Sequence, residues 1–246
     1  MCGESMEMPL VTVVIPCFGN CNCVLLQRAV DSVNIQTYEN IETLIITEAN
    51  SAPEARNKGI ALAKGKYIAF LDADDEWDKT KIAMQVEAME NLPSCVLCIC
   101  WSWDKRFNMS RVSMPKTNIT TKDLLKSFNL SSTSSYMVRA SVCEMFDESL
   151  SSAQEFDLAL RLSKKGDIVC IPRVMLVQHS NNGQISTNWE RKIKGILSMA
   201  FKYGHEYSVF NAFKAVGLLV LFFLGFFIDT KIYIILTALK RSYEHE

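Results

Sequence analysis

Tyr67-Ile-Ala-Phe-Leu-Asp-Ala-Asp-Asp75 decides the fold: an unbroken apolar run to Leu71, then three carboxylates within four residues. An apolar run without polar alternation reads as a strand covered on both faces, the usual state of a strand in a parallel sheet. In sheets of that kind ligands bind beyond the carboxyl ends of the strands, where loops and helix N-termini converge. Asp72 and Asp74 stand at i and i+2, so in an extended backbone they project to one side, close enough to share a divalent cation. Unpaired, they would repel each other; Mg²⁺ or Mn²⁺ relieves that repulsion and can bridge diphosphate oxygens. The same residues also fit a solvated turn. Asp74, Asp75 and Asp78 precede a helix expected from Lys79 to Asn91, and helix N-termini attract carboxylates.

Upstream, Leu10 to Ile15 is a short β-branched run ending at Pro16, again suited to a buried parallel strand. Leu26, Ala29, Val30 and Val33 fall at helical spacing between Val24 and Gln36, and a second strand is expected from Ile41 to Ile46. Ser51-Ala-Pro-Glu54 is a capping-box pattern with an early proline, so it opens a helix running to about Lys64, ended by Gly65. Alternating strands and helices predict a Rossmann-like, doubly wound, mostly parallel sheet flanked by helices.

After Pro93 the pattern turns β-like. Val96 to Trp101, Asn108 to Met114 and Ser134 to Arg139 are the expected strands, around a short helix from Thr121 to Phe128. Thr187-Asn-Trp-Glu190 is another capping box, opening a basic helix with Arg191, Lys192, Lys194 and Lys202. Ala215 to Ile228 then gives 14 residues without a charge. At about 21 Å of helix this is short of the roughly 30 Å hydrocarbon core, so a marginal span, helices lying in the membrane surface and a buried hydrophobic hairpin all fit.

The chain has 246 residues, with 26 basic against 27 acidic, which gives no electrostatic footprint for nucleic acid and bounds the chain to one domain plus an appendage. Nine cysteines sit mostly in apolar runs such as Cys95-Val-Leu-Cys98-Ile-Cys100, where they pack as small hydrophobes and imply a reducing, cytoplasmic compartment. Cys17, Cys21 and Cys23 also allow a metal knuckle, but no second pair stands at zinc-site spacing. The N-terminus shows no basic stretch leading into an apolar core, so no cleaved signal is expected. The sequons at Asn108, Asn118 and Asn129 would matter only in a secreted chain.

Val11 to Pro16, Ala29-Val-Asp-Ser-Val33 with Gln36-Thr-Tyr38, Ala55-Arg-Asn-Lys-Gly59 and Gly65 to Trp77 resemble, in order, the N-terminal half of family 2 inverting glycosyltransferases of the GT-A fold. Phe146 to Leu150, Gln154 to Leu162, and His179 before Ile185-Ser-Thr-Asn188 are similar to the family's acceptor-side motifs, so the resemblance runs from about Pro9 to Gly204. It implies a nucleotide-diphosphate sugar as donor and Mg²⁺ or Mn²⁺ as cofactor. Asp74 would be the principal metal ligand, Asp72 would hold the ribose or the metal shell, and His179 would lie near the diphosphate or metal. Pro16 and Arg56 would border the nucleotide pocket. Glu155 takes the place of the family's general base, with Asp157 in reserve. As residues in their own right, His179 and Arg56 fit structural roles equally, and Ser152-Ala-Gln-Glu155 is also a capping box in which Glu155 would be a cap.

Two departures stand out. Thr47-Glu48 replaces the family's adjacent aspartates, the first of which reads the nucleobase, and the stretch from Glu48 to Arg56 is abbreviated. The expected organisation is a catalytic domain over 1–208, with a donor and metal half at 9–92, an acceptor half at 93–186 and the basic helix at 187–208. A membrane-associated helical segment over 209–246 completes it. The expected activity is transfer of a sugar to a hydroxyl on a lipid-linked or cell-surface glycan at the cytoplasmic face of the membrane. A non-catalytic, membrane-associated scaffold of the same fold is the alternative. A nucleotidyltransferase fits less well, because the loop after the first strand has a single glycine.

Overall fold

The computed structural model describes residues 8–19, 23–105, 111–126, 130–179 and 189–204; side chains of 189–193 and 196 are not among them. Strands β1 (Val11–Pro16), β2 (Ile41–Ile46) and β3 (Tyr67–Phe70) pair in parallel, Val11 facing both Ile41 and Tyr67. Helix α1 (Cys23–Asn34) connects β1 to β2, and α2 (Ala52–Leu62) connects β2 to β3. Ser51 caps α2 by accepting the Glu54 N–H at 3.3 Å, while the Glu54 carboxylate reaches back to the Asn50 N–H at 2.9 Å. The capping box is therefore present, with its return arm one residue earlier than the sequence pattern implies.

Among the described residues, three further helices and six further strands follow before α6 (Trp189–Lys202). They are β4 (Asp75–Trp77), α3 (Lys81–Asn91), β5 (Cys95–Asp104), β6 (Arg111–Ser113), β7 (Asn118–Ile119), α4 (Thr121–Lys126), β8 (Met137–Arg139), α5 (Gln154–Leu162) and β9 (Asp167–Gln178). The described strands form one sheet in the order β2-β1-β3-β8-β5-β9-β4, with β6 on β5 and β7 on β9. The pairings of β8 with β3 and β5, of β4 with β9, of β6 with β5 and of β7 with β9 are antiparallel. The sheet is thus mixed, which corrects the expectation of a mostly parallel one. The donor and acceptor halves also share it, since β8, β5 and β9 continue from β3.

Alternation along β1 explains the two packed faces. Val14 joins Phe70, Ala55 of α2, Leu124 of α4, Phe156 and Leu160 of α5, and Met199 and Tyr203 at the end of α6. Val11, Val13 and Ile15 join Ala29 and Val33 of α1 and Ile82, Val86 and Met89 of α3. Successive side chains of a strand point to opposite faces, so one strand of β-branched residues serves both layers. Gly59 permits α2 to lie this close to β1, because a Cβ there would stand 2.3 Å from Val14 Cγ1.

Three strands depart from the sequence reading, the shortest being β7 at Asn118–Ile119. Asp75–Trp77 is a strand, not the approach to a helix, and α3 starts at Lys81 instead of Lys79. Asp167–Gln178 is a 12-residue strand that the periodicity does not announce. The N-terminus of α5 differs as well: Ala153 occupies the cap position in the left-handed region at φ 64°, with no side-chain cap hydrogen bond. Ser152 therefore does not form the expected capping box with Glu155. No helix among the described residues is long and apolar enough to cross a membrane. The apolar run from Ala215, the 209–246 segment, the Thr187 box and the sequons at Asn108 and Asn129 lie outside the described residues.

Candidate active site

Only four residues separate β3 from β4, yet the two strands stand third and last in the sheet order. The chain between them crosses the end of the sheet, and those four residues carry the acidic motif. Leu71 N–H donates to the Val14 carbonyl at 3.0 Å, extending the strand, and Asp75 N–H donates to the Asp72 carbonyl at 3.0 Å, closing a turn. This turn brings ligand oxygens of Asp72, Asp74 and Asp75 within 4.8 Å of one another. Asp72 and Asp74 are half-buried and Asp75 is buried. Three oxygen donors with this convergence fit a hard divalent cation.

Cationic and polar groups from four other elements hold the corner. Arg56 of α2, only 6% exposed, places Nη2 2.5 Å from Asp72 Oδ1 and lies over the Phe146 ring at 5.4 Å. Arg28 of α1 donates to the Asp74 carbonyl at 2.7 Å. Ser134, in a 3₁₀ turn before β8, accepts the Asp72 N–H at 3.0 Å and donates to Asp75 Oδ2 at 2.6 Å. The Trp77 indole N–H donates to the Ser134 carbonyl at 2.7 Å. Behind it, the fully buried Lys81 ammonium sits 3.9 Å from the Trp77 ring centroid and donates to Gln85 Oε1 at 2.7 Å. Burial pulls the Lys81 pKa down to about 8, against the opposing influence of Cys100 and Cys98.

Glu155 reaches the same end of the sheet on the first turn of α5, and it is half-buried. The Tyr136 hydroxyl donates to its carbonyl at 3.2 Å. Burial and then the Glu155 charge push the Tyr136 phenol well up, against the pull of Arg56. Tyr136 is thus flanked by Glu155 and by the arginine that clamps Asp72. A partly open carboxylate at this end of the sheet is a group of the kind that can take a proton from a hydroxyl.

The other expected site residues lie elsewhere. Asp157 is fully enclosed: Arg161 Nε lies 3.0 Å from Oδ2, while the Tyr203 hydroxyl and Lys202 Nζ each lie 2.7 Å from Oδ1. This corrects its reserve role as base, because a carboxylate without exposure cannot meet an acceptor. His179, one residue past β9, stands with Nε2 3.1 Å from Glu76 Oε2, outside the converging carboxylate group. Pro16 is buried and pairs with Ile46 at the β1–β2 edge. Thr47 and Glu48 are exposed beyond β2 and line a cleft of about 380 Å³ with Lys58 and Leu62. Lys58 binds the Glu48 carbonyl, whereas Arg56, two residues earlier on the helix, turns the other way to Asp72. A second cleft of about 550 Å³ is lined by Arg28, Gln27, Ser32 and Glu76, between α1 and β4. Cys17 is buried as expected but disulfide-bonded, which departs from the free thiols expected of a reducing compartment; Cys95, Cys98, Cys100 and Cys170 are buried free thiols.

Asp75, Ser134, Arg28 and Lys81 were not singled out by the sequence as site residues. The one local signal for them is compositional: a run of small hydroxyl residues, Ser131 to Ser135, and a lysine and a glutamine one turn apart on the buried face of α3.

Residues 46–146, from the last residue of β2 through the acidic corner to Phe146, match the model of Glycosyl transferase family 2. AmsB of Erwinia amylovora, an amylovoran biosynthesis glycosyltransferase, is 26% identical over 231 residues, 75% of this chain and 72% of its own length. WfaP of Escherichia coli, named a UDP-Glc:alpha-D-GlcNAc-diphosphoundecaprenol beta-1,3-glucosyltransferase, is 34% identical over 108 residues, 34% of this chain and 42% of its own. An uncharacterized glycosyltransferase of Rickettsia felis is 38% identical over 115 residues, where the chain spans 19% of its length. Among solved structures, S. aureus TarS 1–349 in complex with UDP-GlcNAc superposes with a TM-score of 0.59 at 12% identity, over 78% of this chain and 66% of that one. The fold shared with TarS is the mixed α/β sheet flanked by helices, and the sequence relatives carry glycosyltransferase names.

Proposed function

We propose that the chain is a family 2 inverting glycosyltransferase that moves a sugar from a nucleotide-diphosphate sugar to a hydroxyl acceptor. The observation that carries this reading is the convergence of Asp72, Asp74 and Asp75 at the end of the sheet, with Glu155 across Tyr136 from the Arg56 clamp. Mg²⁺ or Mn²⁺ held by the three carboxylates would supply charge neutralisation to the departing diphosphate. Asp72 is oriented by Arg56 and Asp75 by Ser134, so both carboxylates are aimed before a ligand arrives. Glu155 takes the proton of the attacking hydroxyl as its oxygen bonds to the anomeric carbon and the bond to the diphosphate breaks. UDP in the TarS complex and UDP-Glc in the name of WfaP support a uridine nucleotide as the first donor to test.

The acceptor is a lipid-linked or cell-surface glycan. Support comes from the diphosphoundecaprenol acceptor in the name of WfaP and the polysaccharide named for AmsB. The apolar C-terminal sequence and the basic residues before it support a location at the cytoplasmic face of the membrane as part of this reading. The test is thermal-shift screening of the full chain against UDP, GDP, TDP and CDP, with and without Mn²⁺. Stabilisation by one nucleotide only when metal is present supports the enzyme, because a ligand that binds only the native state raises its melting temperature. A flat response in every pairing sinks it in favour of a non-catalytic scaffold.

A further inference from the structure

We propose that α6 is the seat of the Glu155 carboxylate, with Asp157 and Gly195 as positioning residues; the inference rests on the reading of Glu155 as the base. Helix α5 begins at a left-handed residue, Ala153, without a side-chain cap, and Gln154 Nε2 ties its first turn to the Leu150 carbonyl at 2.6 Å. Helix α6 contacts that turn on both sides of Glu155. On one side Gly195 abuts Ser152: a Cβ there would stand 2.0 Å from Ser152 Oγ and 2.9 Å from its carbonyl oxygen. On the other, Lys202 and Tyr203 close on Asp157 at 2.7 Å each, and Arg161, one helical turn along α5, completes the enclosure.

The enclosure is rigid because every charge in it is shared. Lys202 also binds Asp147 Oδ2 at 2.6 Å, and Arg161 also binds Glu144. Burial alone would lower the Lys202 ammonium, yet its bonds to Asp147 and Asp157 hold it above the ordinary lysine value. Burial and the Asp157 carboxylate push the Tyr203 phenol up, so the hydroxyl stays a donor through the physiological range. Glu155 is spaced between these two anchors, two residues from Asp157 and three from Ser152. Small misplacements of a reacting group cost large factors in rate, so the anchors set turnover more than donor affinity.

The test uses the full chain with Mn²⁺ and UDP-Glc, UDP-GlcNAc or GDP-Man, reading nucleotide release with water as acceptor. Gly195→Ala and Asp157→Asn are expected to lower kcat about tenfold or more with KM for the donor within twofold, and to shift the acid limb of the pH–rate profile. Adding Ser152→Ala to Gly195→Ala removes the Oγ contact but leaves the 2.9 Å contact with the Ser152 carbonyl, and is expected to recover part of the lost kcat. Should Asp157→Asn lose its cooperative melt, the glycine pair carries the test alone. Gly195→Ala with kcat and pH profile within twofold of the wild type, beside an inactive Glu155→Gln, overturns the proposal and leaves the base assignment standing. An active Glu155→Gln, or a wild-type chain that releases nucleotide from none of the donors, overturns the assignment and the proposal with it.

Discussion

Two acidic clusters of this chain use the same residue type to opposite ends. At Asp72, Asp74 and Asp75 the carboxylates face one another across less than 4.8 Å, and Arg56 engages one of them. At Asp157 a single carboxylate is enclosed by Arg161, Lys202 and Tyr203 with no exposure left. The first gathers three carboxylates at the end of the sheet, the arrangement on which the proposed cation site rests. In the second, cations of the chain itself meet the charge, and the product is attachment of one helix to another. What separates a binding site from a structural joint here is the balance of charge around the carboxylates and their access to solvent.

The contrast can be broken from either side. Asp74→Asn is expected to lower metal-dependent turnover on the order of 100-fold or more while leaving the melting temperature unchanged or raised, because it relieves repulsion. A stability loss without a loss of turnover would make the corner structural. Asp157→Ala takes the acceptor from the buried Tyr203 hydroxyl, while Lys202 keeps Asp147 and Arg161 keeps Glu144, and is expected to cost about 2–3 kcal/mol in urea unfolding. A cost near zero would show that the enclosure does not hold α6.

Lys81 is the buried cation closest in character to neither cluster, and its titration sharpens the picture. Its pKa is depressed to about 8 from 10.5, so between those values the unfolded chain binds more protons than the native one and stability rises with pH on account of this group. The stability of the wild type relative to Lys81→Met is therefore expected to improve across that window, by about 2–3 kcal/mol. A gap that stays flat with pH would place the ammonium in contact with solvent. Ser134→Ala has the smallest expected effect: about 1–2 kcal/mol of stability, from an Asp75 oxygen left without its donor, and roughly tenfold weaker Mn²⁺ binding by calorimetry.

The sequence was legible where a local pattern carries the information. Strands β1, β2 and β3 follow from apolar runs, and α2 from Ser51 and Pro53, because capping and burial on both faces are set by neighbours along the chain. Strand β4 was hidden because Asp75-Glu-Trp77 reads equally well as the acidic approach to a helix. Strand β9 was hidden by Pro172 and Arg173 in its middle, which argue against a strand. In the structure Ile171 faces Cys100 and Val174 faces Trp101, so those two residues bulge out of the pairing. The Asp157 enclosure joins residues 46 apart in sequence, and such partners leave no local trace.

The same bulge has a consequence for how this strand can change. From Asp167 to Gln178 β9 takes eleven steps while β5 takes nine from Cys95 to Asp104, an even difference across all the irregularities between them. Since side chains alternate with a period of two, an even excess leaves the far end of β9 showing the face it would show in an uninterrupted strand. An insertion or deletion of one residue near Pro172 would exchange inside for outside at Gln178 and turn His179 away from Glu76. A change of two would be silent there. The length of β9 is thus expected to vary among relatives in pairs of residues, a parity rule readable in any set of aligned sequences.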